Sequence, residues 1–473
     1  MDFELPEELK LLKNTVRTFV DRELIPVEMN AMDGPGMRPE VRADLERKAK
    51  DLGLWLLDVP TEYGGQGLGL LGMVVVWEEI ARTVALPPRG PGVFGPDLRP
   101  VLFTLNPAQK EKYLFPVLRG EKTTAFAQSE PDAGSDPGAM RTTAVRKGDH
   151  YVINGYKRWI TKAQDADFLQ LVAATDRSKG SRGGLSMFLV DTATPGVKIV
   201  RRTPTMMSDM PCEIALDDVM VPAENLIGKE GDGMRQAQSW ITAGRLYQAC
   251  RGLGVAKRCL DLAVSYAKQR VTFGAPLADR QAVQFMIADS FTEHAMTQLF
   301  VYQLAARTDA GVAARHESYM AKIAGTELGF RVADRCMQIH GGMGLAAEMP
   351  ISQMWRDARS FMITEGPVEV MRMVLAREIF RGQVRRTLAE KKAVNTDAVK
   401  RMTWTEGRAL QVLHVGPYDG VGESYRKLSA EAEARGMACV GWGHEVYLSD
   451  PRRVAPEKIK TIVRMGITRP RAN

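Results

Sequence analysis

The spacing of apolar residues changes period twice along this chain. Over 1–120 it is helical: Leu9, Leu12, Val16, Phe19 and Val20 form one stripe behind Glu7 and Glu8, and Leu45, Ala49, Leu52 and Leu56 form a second. Two further helices are expected over 73–84 and 106–119, the latter with Pro107 in its first turn. The glycine cluster at 63–69, YGGQGLG, follows no clear strand and lacks the GxGxxG order, so it reads as a loop. From 121 to about 222 the period becomes two, with aromatic and β-branched residues. Strands are expected over 151–155, turning at Gly155, and over 168–173, 185–190 and 197–201. Helical spacing returns from 234 to about 380. Beyond it, 383–402 is polar and basic and reads as a linker. The last stretch predicts a strand over 409–413, a turn at 416–419, a helix over 424–435 and strands over 443–451 and 458–465. The expected domains are therefore helical (1–120), β (121–233), helical (234–382) and, after the linker, a small α+β module of β-α-β-β order (403–473).

The 473 residues are too many for one core of ordinary size. No apolar run approaches the roughly 18 residues of a membrane span, and the acidic start MDFELPEELK has no basic or apolar signal-peptide region. The five cysteines, Cys212, Cys250, Cys259, Cys336 and Cys439, lack CxxC spacing. Buried free thiols in a cytoplasmic protein are expected, without disulfides or a metal site. The net charge of +7 is uneven: from residue 381 onward there are 18 basic and 10 acidic side chains, leaving −1 for the remainder. No recognition helix or zinc finger accompanies the basic tail, so a solvated linker is expected rather than a nucleic-acid or membrane partner.

Candidate chemistry concentrates in WRDARSFMITEGPVEVMRMVLAREIFR, residues 355–381. Two helical runs flank Thr364-Glu365-Gly366-Pro367. Gly366 permits backbone angles that other residues resist, and Pro367 suits the start of a new helix. Glu365 thus stands at a break, where a carboxylate can reach into a cleft and take a proton. Equally, it can cap the next helix. Three other stretches stand out. Gln128 to Asp136 (QSEPDAGSD) joins two strands, and its small and hydroxyl residues can bring backbone N–H groups against a ligand or form a plain turn. Trp159-Ile160-Thr161 follows, with Trp159 readable as core. Arg270-Val271-Thr272-Phe273-Gly274 places a basic group beside a turn, which suits a diphosphate or an exposed surface arginine.

Taken together these stretches resemble the acyl-CoA dehydrogenase family over roughly residues 3–382. Arg356-Asp357-Ala358, Glu365-Gly366 and Ala376-Arg377-Glu378 resemble its carboxyl-terminal signature, and QSEPDAGSD resembles its T/S-E-P-x-A-G-S-D loop. The resemblance implies a helical, β, four-helix-bundle-like fold with FAD as cofactor. It makes Glu365 the catalytic base, with Gly366 beside the substrate. Gln128 and Ser129 would bind the isoalloxazine, Trp159 would cover it and Thr161 would bond its edge, while Ser135 would lie near CoA. Arg270, Thr272, Phe273 and Gln281 resemble the motif that binds a neighbouring subunit's FAD. Gln338-Ile339-His340-Gly341-Gly342-Met343-Gly344 resembles its partner motif, with Gln338, Gly341 and Gly342 on the adenine half and His340 at a variable position. A homo-oligomer, dimer or tetramer, is implied. Pro367 and Glu369 fall on cofactor-contacting positions, but Pro367 replaces the family's usual Thr and lacks its hydroxyl and N–H. On the helix beginning near 242, Arg245 matches a pocket arginine, and Thr242 stands where an Asp often touches pantetheine. Gly244 occupies the position of the base in some members, which leaves Glu365 as the base candidate.

The implied reaction is α,β-dehydrogenation of an acyl-CoA: Glu365 takes the α-proton, the β-hydride goes to flavin N5, and electrons leave to an electron-transferring flavoprotein, as in fatty-acid metabolism. A monooxygenase or oxidase on the same fold, and a non-catalytic ligand sensor, are the alternatives. The tail run HVGPY … HEVYLSDP resembles one module of the GyrI-like small-molecule-binding domains. That resemblance implies a ligand site near Glu445 and Tyr447, completed by a second tail across subunits or, alternatively, a module docked on its own body.

Overall fold

Helix ends in the amino-terminal region follow their local chemistry. In a computed structural model, which describes residues 4–87, 90–98, 100–238, 241–312, 315–390, 409–447, 455–458 and 460–468, α1 is Glu7–Phe19, α2 is Pro39–Asp51 and α3 is Leu70–Ile80. A helical run over 107–118 is α4. Glu7 and Glu8 open α1 and Arg17 closes it, as the helix dipole favours. Asn106 and Gln109 cap α4 reciprocally, with Pro107 in the first turn as expected. Val16, Phe19, Leu45, Ala49, Met73 and Ile80 share one core.

Two expectations need correction here. The second stripe stops early: Gly53 adopts φ +70°, the Leu54 N–H turns back to the Ala49 carbonyl (2.8 Å), and Leu52 is left 53% exposed. Leu56 lies beyond it with φ 54°. Helix α3 ends at Ile80 rather than 84, because the Glu28 carboxylate takes the Thr83 hydroxyl (2.9 Å) and the Val84 N–H (3.2 Å).

The β region is one seven-stranded sheet. Its strands are β1 Thr124–Ala127, β2 Thr143–Lys147, β3 His150–Ile160 and β4 Phe168–Ala174. They continue with β5 Leu185–Asp191, β6 Val197–Arg202 and β7 Cys212–Pro222. The order is β1-β4-β2-β3-β7-β6, with β5 paired to β4. Strand β4 is buried throughout, which explains its unbroken apolar run. Gly155 is no turn: β3 passes through it at a register shift, where a side chain would collide with Thr142. A second shift between Lys157 and Ile160 re-aims Trp159.

The following helices are α5 Ile241–Gln269, α6 Gln281–Asp309, α7 Arg315–His340, α8 Pro350–Phe361 and α9 Val368–Glu390. α5 and α7 run parallel and touch backbone to backbone. A Cβ on Gly325 would lie 2.6 Å from the Ala249 Cα, and one on Gly329 would lie 2.7 Å from the Gly252 Cα. Asp309, at the end of α6, accepts the Leu70 and Leu71 N–H groups (2.8 Å each) and so caps α3. Residues 383–390, expected as linker, continue α9; the rest of that stretch lies outside the described residues.

Met1–Phe380 and Arg381–Asn473 are separate units. The second contains β8 Ala409–Val415, α10 Val421–Ala434, β9 Ala438–Tyr447 and β10 Lys460–Thr468. Its antiparallel sheet has the order β8-β10-β9, and Val421 and Leu428 of α10 pack on Val463 with Leu410, Val412 and Met465. The expected β-α-β-β order is present, although β9 starts at 438 rather than 443, β10 starts at 460 rather than 458, and 448–454 lies outside the described residues. Four cysteines are buried free thiols; Cys439 is exposed, contrary to expectation.

The seam between α5 and α7 yields a test. Gly252→Val forces the two backbones apart and is expected to cost about 3 kcal/mol, the upper range for overpacking. Thermal denaturation should show a clear fall in midpoint; an unchanged midpoint would refute the close approach.

Candidate active site

Helix α8 ends at Phe361, and α9 does not begin until Val368. The Thr364 N–H bonds back to Ser360 (3.0 Å) and the Val368 N–H reaches across to the Met362 carbonyl (3.0 Å). The chain between them is a tight turn in which Glu365 has φ 56° and Gly366 φ 94°. A non-glycine residue there costs of order 1–3 kcal/mol and persists only where the surroundings impose it. Glu365 is exposed, and among the described residues neither its carboxylate nor its N–H makes a hydrogen bond. It therefore does not cap α9. Pro367 accepts the Met371 N–H (3.3 Å) at the start of that helix, and Glu369 is exposed in its first turn.

A buried lysine holds this turn from beneath, with Arg245 near it. Lys322 of α7 is fully buried and donates from Nζ to the carbonyls of Thr364 and Gly366, on either side of Glu365. Burial pushes Lys322 down to about 8, opposed by the Glu365 carboxylate and reinforced by Arg245. Arg245 of α5 lies over the Tyr319 ring (4.1 Å) and donates to the Ser318 hydroxyl (3.2 Å). Gly366 is part of the turn itself. Thr242 belongs to the first turn of α5, and its side chain lies outside the described ones.

The β sheet brings a second group together. The Arg158 N–H bonds the Ser129 carbonyl (2.9 Å) and Lys157 Nζ bonds the Gln128 carbonyl (3.0 Å), tying the loop after β1 to the end of β3. Lys157 is also fully buried and pairs with Glu130 at 2.8 Å. Burial pushes Lys157 down to about 8. Burial works against the Glu130 carboxylate too, but Lys157 and the N–H groups of Arg141 and Thr142 hold it below the usual range. Trp159 is not core: it is 50% exposed, has φ 64°, and carries the Arg158 guanidinium against its ring at 4.7 Å. Thr161 follows it half-buried, and Ser135 is exposed on the loop.

A third group lies at the other end of α5 and α7. Val271–Thr272 and Ala275–Pro276 form a small hairpin between α5 and α6, with Phe273 at its tip 100% exposed. Arg280 braces it through the carbonyls of Thr272 (2.6 Å) and Phe273 (3.3 Å). Arg270 is exposed, with no side-chain acceptor among the described residues, and Gln281 begins α6. Tyr266, whose carbonyl takes the Arg270 N–H, stacks on His340 at 4.3 Å, so Gln338 and the exposed Gly341 and Gly342 stand beside this hairpin. Lys322 and Gln338 are about 24 Å apart along α7 at roughly 1.5 Å per residue. The third group is thus remote from Glu365 within one chain.

Three family models match consecutively: the acyl-CoA dehydrogenase N-terminal domain at 6–121, the middle domain at 125–219 and the C-terminal domain at 231–380. The mouse mitochondrial short-chain specific acyl-CoA dehydrogenase is 36% identical over 80% of this chain and 91% of its own length. The chain belongs to the acyl-CoA dehydrogenase family. Its class is accordingly that of an FAD-dependent oxidoreductase. The caffeyl-CoA reductase-Etf complex subunit CarC of Acetobacterium woodii is 37% identical over 78% of this chain and 97% of its own. The butyryl-CoA dehydrogenase structure from Megasphaera elsdenii superposes with a TM-score of 0.70 at 30% identity, covering 80% of this chain and all of that one. The GyrI-like small molecule binding domain matches 380–467.

The residues present fit the family's FAD. A long aromatic diphosphate needs an aromatic wall, polar backbone and a cation. The half-exposed Trp159, the fixed 128–130 loop and the unpaired Arg270 supply these. Sequence reasoning named every one of those groups but missed the two buried lysines. The signal for Lys322 was present: with Ser318, Gly325 and Gly329 it shares the helix face that packs on α5. Lys157→Met would leave Glu130 buried without its cation, a loss of about 3–5 kcal/mol. Reduced thermal stability and a lower flavin content on purification are expected, and Glu130→Gln in the same chain should recover part of both.

Proposed function

We propose that this protein removes the α-proton and β-hydride of an acyl-CoA thioester, with Glu365 as the base. The observation that carries this is one residue with an unengaged carboxylate and an unengaged N–H, held in a left-handed turn over buried cations. The carboxylate takes the α-proton; the N–H is free to bond the thioester carbonyl as negative charge develops there. In this reading Arg245, Thr242 and Gly366 would contact the substrate, and Ser135 would lie near the CoA. Bound FAD would accept the hydride, the chemistry that no side chain supplies. Gln128, Ser129, Trp159 and Thr161 would hold its ring portion, with Pro367 and Glu369 alongside.

The separation of the Arg270–Gln338 group from Glu365 supports a shared cofactor. In that reading Arg270, Thr272, Phe273, Gln281, Gln338, Gly341 and Gly342 serve the FAD of a second copy, which makes the protein an obligate homo-oligomer. Phe285, Phe291 and Met296 of α6 are exposed, and a second copy would cover them. Electrons would pass to an electron-transferring flavoprotein, as the name of the Acetobacterium relative suggests for that protein. Among the described residues no helix is long and apolar enough to cross a membrane, and we read the protein as acting in the cytoplasm. The GyrI-like module would bind a small molecule of its own.

Glu365→Gln should retain FAD and thioester affinity yet slow anaerobic flavin reduction by at least about 10²-fold. A panel of straight and branched acyl-CoAs identifies the thioester to use; near-normal bleaching in the variant would remove Glu365 from the chemistry. Arg270→Ala should release FAD and loosen the oligomer together. A flavin-replete monomer by light scattering would contradict the shared cofactor.

A further inference from the structure

Lysine is almost never buried without a charged partner, yet Lys322 is fully buried and no carboxylate lies within 4 Å of it among the described residues. Its acceptors are instead two backbone carbonyls, and their choice is informative. A helix running on from α8 into α9 would use the Thr364 carbonyl for its own ladder. Here the Val368 N–H goes to Met362 instead, which frees the carbonyls of Thr364 and Gly366 to point at one ammonium group. Both flank Glu365, the residue with the unfavourable backbone angle. A three-donor point charge is suited to this, because it binds diverging carbonyls at once.

We propose that Lys322 is the positioning residue of the catalytic base: by bonding the carbonyls on both sides of Glu365 it fixes the left-handed turn and so aims the carboxylate at the α-proton. This rests on the base assignment made above for Glu365. The charged groups facing Lys322 are Glu365 and Glu369 from the turn and α9, and Arg245 from α5. Arg245 repels the ammonium, the two carboxylates attract it from beyond 4 Å, and the two carbonyls bond it directly. On its own helix, the Lys322 carbonyl accepts the Thr326 hydroxyl (2.7 Å), which leaves the side chain free for the turn.

The test uses Lys322→Met in the full-length holoenzyme, with the fastest-reducing thioester of the panel. FAD content should be retained and thioester affinity held within about threefold. Flavin reduction should slow about 10- to 100-fold, a loss of rate rather than of binding, as a misplaced base requires. Amide hydrogen exchange over 363–368 should quicken even without substrate. Wild-type reduction, or unchanged exchange in the turn, would overturn the proposal. If Lys322→Met does not fold, Lys322→Arg keeps a cation but replaces the compact ammonium with a planar fork that fits two diverging carbonyls less well: it should slow reduction and quicken exchange over 363–368, and wild-type values of both would count against the positioning role. The two assignments fail separately. A fully active Glu365→Gln removes the base, whereas an inactive Glu365→Gln beside a normal Lys322→Met removes only the positioning role.

Discussion

The close contact of two parallel helices governs the active region. Because Gly252, Gly325 and Gly329 have no side chains, α5 and α7 meet backbone against backbone. That contact brings Arg245 onto Tyr319 and puts Lys322 under the turn after α8. Larger residues at the seam would separate these groups by several ångströms, since each side chain would add its own width to the interhelical distance. The support beneath the Glu365 turn therefore depends on glycines that lie outside that turn. It also depends on Asp309, which ties the end of α6 to the start of α3 and so joins the amino-terminal helices to this bundle.

Much of this was legible from one sequence, for identifiable reasons. Period two over 121–222 and helical spacing on both sides gave the domain order, because sheets and helices bury their faces with different repeats. Asn106-Pro107 announced a helix start, and Glu365-Gly366-Pro367 announced a break. Gly155 misled, because a glycine in a strand can mark either a turn or a bulge, and only the packing of Thr142 against it decides. Leu52 misled because an apolar residue just past a helix end continues the stripe in sequence but not in space. The polar run after 382 read as linker, although eight of its residues remain helical; composition does not show where a helix that has left its core will stop.

What the buried lysines bond was illegible for a different reason, although the helix face of Lys322 could be read. Burial of a charge depends on acceptors distant in sequence: Lys322 uses carbonyls at 364 and 366, and Lys157 uses a carbonyl at 128 and a carboxylate at 130. Both do the same work. Each crosses from a regular element to an irregular segment and satisfies carbonyls that the segment cannot satisfy itself. A loop fixed in this way can be polar, tightly turned and still well defined, as a binding or catalytic segment must be.

The same logic accounts for what the chain leaves unsatisfied. Arg270, Phe273 and the glycines after His340 are exposed and unbraced toward solvent, although Arg280 holds their hairpin rigidly from behind. A surface that is fixed in shape yet open in its bonds is suited to binding rather than to folding. Placing it about 24 Å down α7 from the base turn, at 1.5 Å per residue, removes it from the reaction of its own chain. One pair of helices then carries Lys322 beneath the Glu365 turn toward one end and the exposed hairpin surface at the other. In the shared-cofactor reading proposed above, helix length alone would link assembly to catalysis.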